Sequence, residues 1–415
     1  MDHSIEHAVG IYIGLLVVAC LVGIASKYLY HLPYTIFLTL TGLLVGVFHI
    51  GPGIAETGFS HDLIFFVFLP PLLFQGAFHM ELNRLLKHIA PIACFAIPGV
   101  IVSTLLVGGV IWWLAGISSL AIAMLFGALI SPTDPISVLA MFRQADAPED
   151  LRILVEGESL FNDATGVVIF TIILDAVLDS QGGGLSVGSA IFEFIKVSGG
   201  GLLLGGVLGY IAFYIMRRID DPLLENAICL TLAFGAFWLA EVLHLSGVIA
   251  TVMAGLLIGN QGRRLAMDKK TSNTIETFFE SIDFILNSFL FILIGLELRE
   301  IPGFHTLAVN PWRLLLVAII AMLVGRAFVV YTFYWALNRV GRKRPKSFKH
   351  ILFWGGLRGS IPIALLLHLP AEGELATYRP ALLVAGFGCV FFSLVIQGLT
   401  MKPLMKYLKI GADLP

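Results

Sequence analysis

Charged side chains are scarce in this chain. Asp, Glu, Lys and Arg make up 13% of its 415 residues, 58% are hydrophobic, and the mean hydropathy is +0.91, far from the composition of soluble domains. Long polar stretches are missing too. Apolar runs able to cross a roughly 30 Å hydrocarbon core recur along the whole length, and the segments between them are too short to make a soluble domain. Segments of about ten residues with alternating polarity are absent, which excludes a spanning β-barrel and leaves an all-α integral membrane protein. Cysteine is rare: Cys20, Cys94, Cys229 and Cys389 lie in apolar runs with no metal or disulfide spacing and read as small core residues. The first apolar run follows Asp2 and Glu6, with no basic segment before it and no convincing cleavage site, so it reads as a first span and not a removable signal. No Walker-type loop, metal-ligand cluster or serine elbow is present. An enzyme is therefore not expected, nor a cofactor, nor a nucleic-acid partner; membrane lipid is.

What is present is a series of thirteen expected spans, at 8–26, 33–50, 62–79, 89–115, 119–142, 151–178, 190–216, 223–242, 246–260, 275–297, 311–338, 350–369 and 379–401. The ninth is short and needs loop residues to reach full length. Basic residues test the count, because cytoplasmic loops retain Lys and Arg. Of the 26, 20 fall in the odd-numbered loops and after the last span, 4 (Lys196, Arg299, Arg313, Arg379) fall on the other side, and Arg326 and Arg358 lie inside spans. That split puts the N-terminus outside and the C-terminus in the cytoplasm. No large regulatory tail is expected after span thirteen.

Thirteen spans divide as six, one linker and six. A shift of seven helices reverses direction, so the two units would form an inverted repeat, a common transporter design. Spans five and twelve then occupy matching places. The first contains "SPTDPISVLA" and the second "GLRGSIPIALL", each a polar, helix-breaking patch followed by Pro-Ile and an aliphatic run. Pro132 and Pro135 predict a break near Thr133. Asp134 reads as the N-cap of the second half-helix. Gly355, Gly356, Gly359 and Pro362 loosen span twelve around Arg358, whose charge can offset the carbonyl end of the opposing half-helix. The alternative is a plain proline kink with Arg358 snorkelling to the cytoplasmic edge.

Span six carries "VEGESLFNDATGVVIF", acids at the head of an otherwise lipid-soluble run. At about 100° per residue, Glu158, Ser159, Asn162, Asp163 and Gly166 share one face. Asp163 falls roughly 18 Å along the helix, near mid-membrane. An ionisable group at that depth costs about 2.5–3.5 kcal/mol even on gentle scales. For Asp134, Glu158, Asp163 and Arg326 together the cost is of order 10 kcal/mol, comparable to a domain's whole stability. Such groups need partners. Glu158 reads as the ion-pair partner of Arg326 or as a helix-start acid, and Asp163 as a ligand or as a buried acid bonded to Asn162. Asp283 and Asn287, four apart, are ambiguous. Asp175, Asp179, Glu241 and Glu297 sit near span ends and read as interfacial; His31, His49, His61, His79, His88 and His368 read as solvated caps. Gly201, Gly205 and Gly209 have the spacing for close helix packing, and Gly182, Gly183 and Gly184 read as a flexible external loop.

A hard monovalent cation wants oxygen ligands, as other hard ions do. Asp163, Ser159, Asp134 and the Thr133 carbonyl supply that set. The same carboxylate can take a proton instead, and competition at one alternately exposed site gives obligate exchange.

"SPTDPISVLA", "GESLFND", "FLFILIGLEL" and "WGGLRGSIPIAL", in this order and over nearly the whole chain, resemble the NhaP-type sodium/proton antiporters, relatives of the animal sodium/proton exchangers. The resemblance implies a homodimer in a bacterial or archaeal plasma membrane, with interrupted, crossing helices 5 and 12. It implies dimer-domain helices in 1–88 and 223–310, core-domain helices in 89–180 and 311–415, and a linking helix in 181–222. It implies an ion site at Asp163, Asn162, Ser159, Asp134 and Thr133, supported by Arg326 and Glu158. Asn162, where electrogenic relatives carry a second Asp, implies electroneutral one-for-one exchange. Where many members have an acid after "PPLLF", this chain has Gln75, so a second charge near the site is missing. Na+ and Li+ are the expected cations, with K+ as the alternative. Of other classes, an intramembrane aspartyl protease lacks its Tyr-Asp and Gly-x-Gly-Asp pair here, and a cation channel would pass current without moving protons.

Overall fold

The computed structural model describes residues 2–28, 34–48, 63–178, 187–299, 309–340, 344–371 and 373–410. Every regular element among them is a helix, as the hydrocarbon core demands when each backbone N–H and C=O must be satisfied within the chain. In chain order these are α1 (Asp2–Tyr28), α2 (Tyr34–Val47), α3 (Ile64–His79), α4 (Leu82–Lys87), α5 (Ile89–Leu114), α6 (Leu120–Ile130), α7 (Ile136–Gln144) and α8 (Glu149–Leu178). There follow α9 (Val187–Met216), α10 (Pro222–Val242), α11 (Gly247–Leu257), α12 (Lys269–Arg299), α13 (Pro311–Val340), α14 (Phe348–Trp354), α15 (Ser360–His368) and α16 (Gly373–Tyr407). Among the described residues 7 helices are long and apolar enough to cross a membrane: α1, α5, α8, α9, α10, α13 and α16. α2, α3 and α6 are shorter apolar helices, and α11 carries on through a wide π turn at Ile258–Gly262.

Local chemistry sets the starts. Ser119 accepts from the Ile122 amide, Asp221 from Leu223, Ser246 from Ile249 and Asn310 from Trp312, each satisfying an orphan donor of a first turn. Proline follows the cap in α10 and opens α13, where its missing N–H costs nothing. In the loop before α12, Asp268 accepts from the Thr271 amide at 2.6 Å, and that bond holds its carboxyl below the usual range.

Two interruptions matter most. Ser131 to Pro135 separate α6 from α7, and Gly355 to Gly359 separate α14 from α15. Asp134 is not the N-cap of α7: that helix begins at Ile136 with Pro135 in the cap position and no side-chain bond to it, because Asp134 is drawn to the other interrupted pair.

The apolar interior forms two clusters. The larger runs through α3, α5, α6, α8 and α13–α16. The smaller gathers Phe74, Phe78, Phe213, Cys229, Ala236, Ala254 and Phe279 from α3 and α9–α12, with Phe74 stacked on Phe279 at 5.0 Å. The glycine row of α9 lies on α11: a Cβ on Gly201 would come within 2.7 Å of the Ser246 carbonyl, and one on Gly205 would collide with the backbone of Ala250. Cys20 departs from expectation. It is exposed on α1, while Cys229 and Cys389 are buried; the outer side of an apolar helix is as hydrophobic as its inner side, so composition does not tell them apart. The glycines at 182–184, His31, His49, His61 and Asp179 lie outside the described residues.

Candidate ion-binding site

The two interruptions meet. The Asp134 amide donates to the Leu357 carbonyl at 2.8 Å. Arg358, 1% exposed, donates through Nη1 to the carbonyls of Ser131 at 2.5 Å and Pro132 at 2.8 Å. Those carbonyls are freed where α6 ends, and a guanidinium is the donor that can answer both their lone pairs and the negative end of the helix dipole. The Arg358 amide in turn donates to Ser393 Oγ at 2.9 Å, in a wide π turn within α16. A Cβ on Gly359 would overlap the Asp134 carboxylate, so only glycine lets the second break pass this close. Arg358 is bound inside the protein and does not snorkel to the edge.

α8 grips the first break from the side. Asn162 Oδ1 accepts from the Thr133 amide at 3.1 Å, while its Nδ2 donates to Thr133 Oγ1 at 2.7 Å and to Glu158 Oε1 at 2.9 Å. Ser159 Oγ donates to the Thr133 carbonyl, and a side chain on Gly166 would collide with Pro132. The expected face of α8 is thus a clasp on an unwound segment. Asn162 serves Thr133 and Glu158, and does not bond Asp163.

Behind the clasp, Arg326 of α13 meets Glu158 in a two-pronged ion pair, Nη1 to Oε1 at 2.6 Å and Nη2 to Oε2 at 2.8 Å. Both residues are buried. Arg326 also donates from Nε at 3.2 Å and Nη2 at 2.8 Å to the Leu352 carbonyl, near the end of α14. One guanidinium therefore ties α8, α13 and α14 together.

Asp163 looks the other way, into a cavity of about 300 Å³ whose wall it shares with Ser159, Asp134, Ser360 and Asp283. Among the described residues no donor hydrogen-bonds its carboxylate. Thr133 and Asn162 stand behind this wall, 4% and 1% exposed. Gln75 is on the wall; Asn287 is not, and donates instead to Asp283 Oδ1 at 2.8 Å. Asp283 is the acid that the i, i+4 pattern of α12 left undecided, and the structure brings it to the same space as Asp163. The cavity continues past Arg143, Glu156, His79 and Glu280, toward the end of α3 and the starts of α8 and α12.

A second, smaller cavity of about 170 Å³ lies toward the other end of α8, lined by Val167, Val168, Thr171, Asp175, Glu193, Glu241 and His244. Asp175 and Glu241, expected at the interface, line it, and Glu241 also accepts from the Gly247 amide at 3.0 Å. Asp163 therefore stands between two cavities. It opens on the first and is separated from the second by Val167 and Val168.

Comparison with known proteins shows which family and fold the chain is similar to. The family model for the transmembrane sodium/hydrogen exchanger matches residues 15–407. The chain is 37% identical over 406 residues to the Na+/H+ antiporter ApNhaP of Aphanothece halophytica, covering 96% of this chain and 75% of that one. It is 37% identical over 405 residues to the Na+/H+ antiporter NhaP of Pseudomonas aeruginosa, covering 92% and 93%. Its fold is similar to that of the sodium proton antiporter MjNhaP1 from Methanocaldococcus jannaschii, with a TM-score of 0.80 over 98% of this chain and 99% of the other, at 21% identity.

Proposed function

The chain belongs to the sodium/hydrogen exchanger family, and from that membership we propose that it is a secondary antiporter carrying Na+ across a membrane in exchange for H+. The observation that carries the reading is Asp163: a carboxylate with no hydrogen-bond donor among the described residues, on the wall of a polar cavity, beside Ser159 and Asp134. A carboxylate so placed has two ways to be neutralised, by a proton or by a cation whose other ligands are neighbouring oxygens. Only one can occupy it at a time. Each loaded form has the charge of Asp163 offset, so the two loaded forms are electrically equivalent and can cross; the empty form, with that charge exposed, is held back. Exchange then follows at one cation per proton.

The rest of the constellation supports this chemistry without taking part in the exchange. Ser159 and Asp134 offer oxygens beside Asp163, while the Thr133 carbonyl, the other oxygen of the set, accepts from Ser159 behind the wall and is held there by Asn162. Arg326 keeps Glu158 permanently compensated, so Glu158 does not compete for the transported charge. Arg358 answers the carbonyls of the broken helix. Asp283, with Asn287 behind it, adds a further carboxyl group to the cavity beside Asp134 and Asp163, where Gln75 contributes none. Li+ fits the same oxygen set, and K+ is the alternative that a slightly wider cavity would favour.

Motion follows from the two cavities. The larger, beside His79 and Arg143, lies at the end that the Lys and Arg distribution assigns to the cytoplasm, so this conformation is the inward-facing one. Thirteen spans in two inverted six-helix units, with the N-terminus outside, account for two interrupted helices that meet in opposite senses. In this scheme α5–α8 and α13–α16 form the moving core, and α1–α3 with α10–α12 form the domain that pairs with a second copy in the plasma membrane. The test is purified protein in liposomes with a trapped pH dye. Na+ added to the outside should drive proton movement that Asp163→Asn abolishes, with no accompanying current. Current without proton movement would mean a channel.

A further inference from the structure

At the mouth of the larger cavity, apart from the Asp163 constellation, His79 of α3 faces Glu276 and Glu280 of α12. His79 Nε2 lies 3.0 Å from Glu276 Oε1, and one ligand atom from each of the three side chains falls within 4.8 Å of the others. We propose that these three residues form a binding site for a borderline divalent cation of the Zn2+ type, which regulates entry to the cavity.

The first argument is the imidazole's orientation. His79 Nδ1 is 2.9 Å from the Gln75 carbonyl. A carbonyl oxygen only accepts, so Nδ1 carries the proton, and in the neutral ring the Nε2 lone pair points at a carboxylate oxygen. At 3.0 Å the pair needs a positive centre between the two atoms, which either a second ring proton or a metal ion supplies. Fixing one ring nitrogen by a backbone carbonyl while the other faces acidic oxygens is the outer-shell arrangement of metal-binding histidines. The second argument is spacing. Metal–ligand bonds of about 2.0–2.2 Å set neighbouring ligand atoms about 3.0–3.5 Å apart, which the His79–Glu276 pair already meets. Glu280 is one helical turn from Glu276 on the same face and exposed, so its side chain is free to close the third side. The third argument is the support behind Glu276. Arg263 Nη2 sits 3.5 Å from Oε2, occupying the oxygen a metal would not need and leaving Oε1 toward the histidine. One imidazole nitrogen and two carboxylates suit Zn2+ better than Mg2+ or Ca2+, which favour all-oxygen sites; water would complete the fourth position.

His79 and Glu280 also belong to the wall that leads to Asp163. A doubly charged ion bound there offsets the negative charges of Glu276 and Glu280, so the route loses the acidic pair that would attract a monovalent cation. Bound metal should therefore slow uptake of the transported ion from this side. The metal site itself stands apart from the exchange reading; only its effect on transport rests on it.

Calorimetric titration of Zn2+ into the purified protein in detergent tests the site without measuring transport. One Zn2+ per chain should bind in the micromolar range, Mg2+ should not compete, and His79→Ala and Glu280→Gln should each weaken binding by at least about tenfold while eluting as the same monodisperse species. In liposomes, Zn2+ on the cavity-mouth side should slow exchange in the unmodified protein, relative to its metal-free rate, and leave His79→Ala at its own metal-free rate. No stoichiometric Zn2+ binding, or binding unchanged in both variants, overturns the site. Binding as expected with no slowing overturns the regulatory role alone.

Discussion

Arg326 and Glu158 face each other with both nitrogens on both oxygens, at 2.6 and 2.8 Å, in the middle of the protein. A buried pair of this kind gains little over a well-packed apolar pair, but losing one partner leaves an uncompensated charge, at a cost of about 3–5 kcal/mol. Glu158→Gln and Arg326→Gln should each lower the thermal stability sharply, and the double variant should recover much of the loss. Thermal unfolding of all three in detergent checks this, and strictly additive losses would show that the pair is not energetically coupled.

Asn162→Asp looks conservative by shape and should not be. The Asn162 amide nitrogen donates to Glu158 Oε1 at 2.9 Å and to Thr133 Oγ1 at 2.7 Å. A carboxylate there would set two acceptors against each other and add charge beside Glu158. We expect a loss of several kcal/mol from the unmade bonds and repulsion, seen as a lower melting temperature at neutral pH and partial recovery in acid. A stability equal to that of the unmodified protein would mean that Thr133 is not held by Asn162.

Arg358 is tested by removing its donors. Arg358→Met retains bulk but orphans the carbonyls of Ser131 and Pro132, at about 1–3 kcal/mol for each unsatisfied group. Arg358→Lys should recover part of that. Unfolding midpoints should rank unmodified protein, then Lys, then Met; equal values for Lys and Met would show that charge at the break contributes nothing.

Sidedness has a direct assay. Lys346→Cys should react with impermeant maleimide only from the cytoplasm, and Lys196→Cys only from outside. The reverse pattern would overturn the orientation drawn from basic residues.

How much of this was legible in the sequence depends on range. The interruptions at Thr133 and Arg358 were readable because proline and glycine act on their own turns. The Glu158–Arg326 pairing was readable because charge that deep needs a partner. Which residues face the cavity was not. Asn162 and Asp163 are adjacent on one helix, and only the path of the α6–α7 break decides that Asn162 turns to Thr133 while Asp163 is left open. The one-residue error at the α7 cap has the same origin, since Asp134 is taken by Leu357 from another interrupted helix. From sequence His79 reads as a solvated cap, because its partners, Glu276 and Glu280, reach it only through the packing of α12 against α3. Asp283 lacked any local signal beyond its spacing from Asn287.

The central claim is that one carboxylate serves both ions, and the most direct test is the apparent Na+ KM of reconstituted protein measured against pH. Below the pKa of Asp163 only the deprotonated fraction binds Na+, so KM should rise about tenfold for each unit of pH lowered, the equivalent of about 1.36 kcal/mol of proton affinity to displace. At high pH KM should level off while turnover falls, because the proton-loaded return is starved, giving a bell-shaped rate profile that membrane voltage does not move. Asp163→Asn should show no Na+-dependent proton flux at any pH while remaining folded. A KM independent of pH, or Na+-coupled proton flux persisting in Asp163→Asn, would contradict the account.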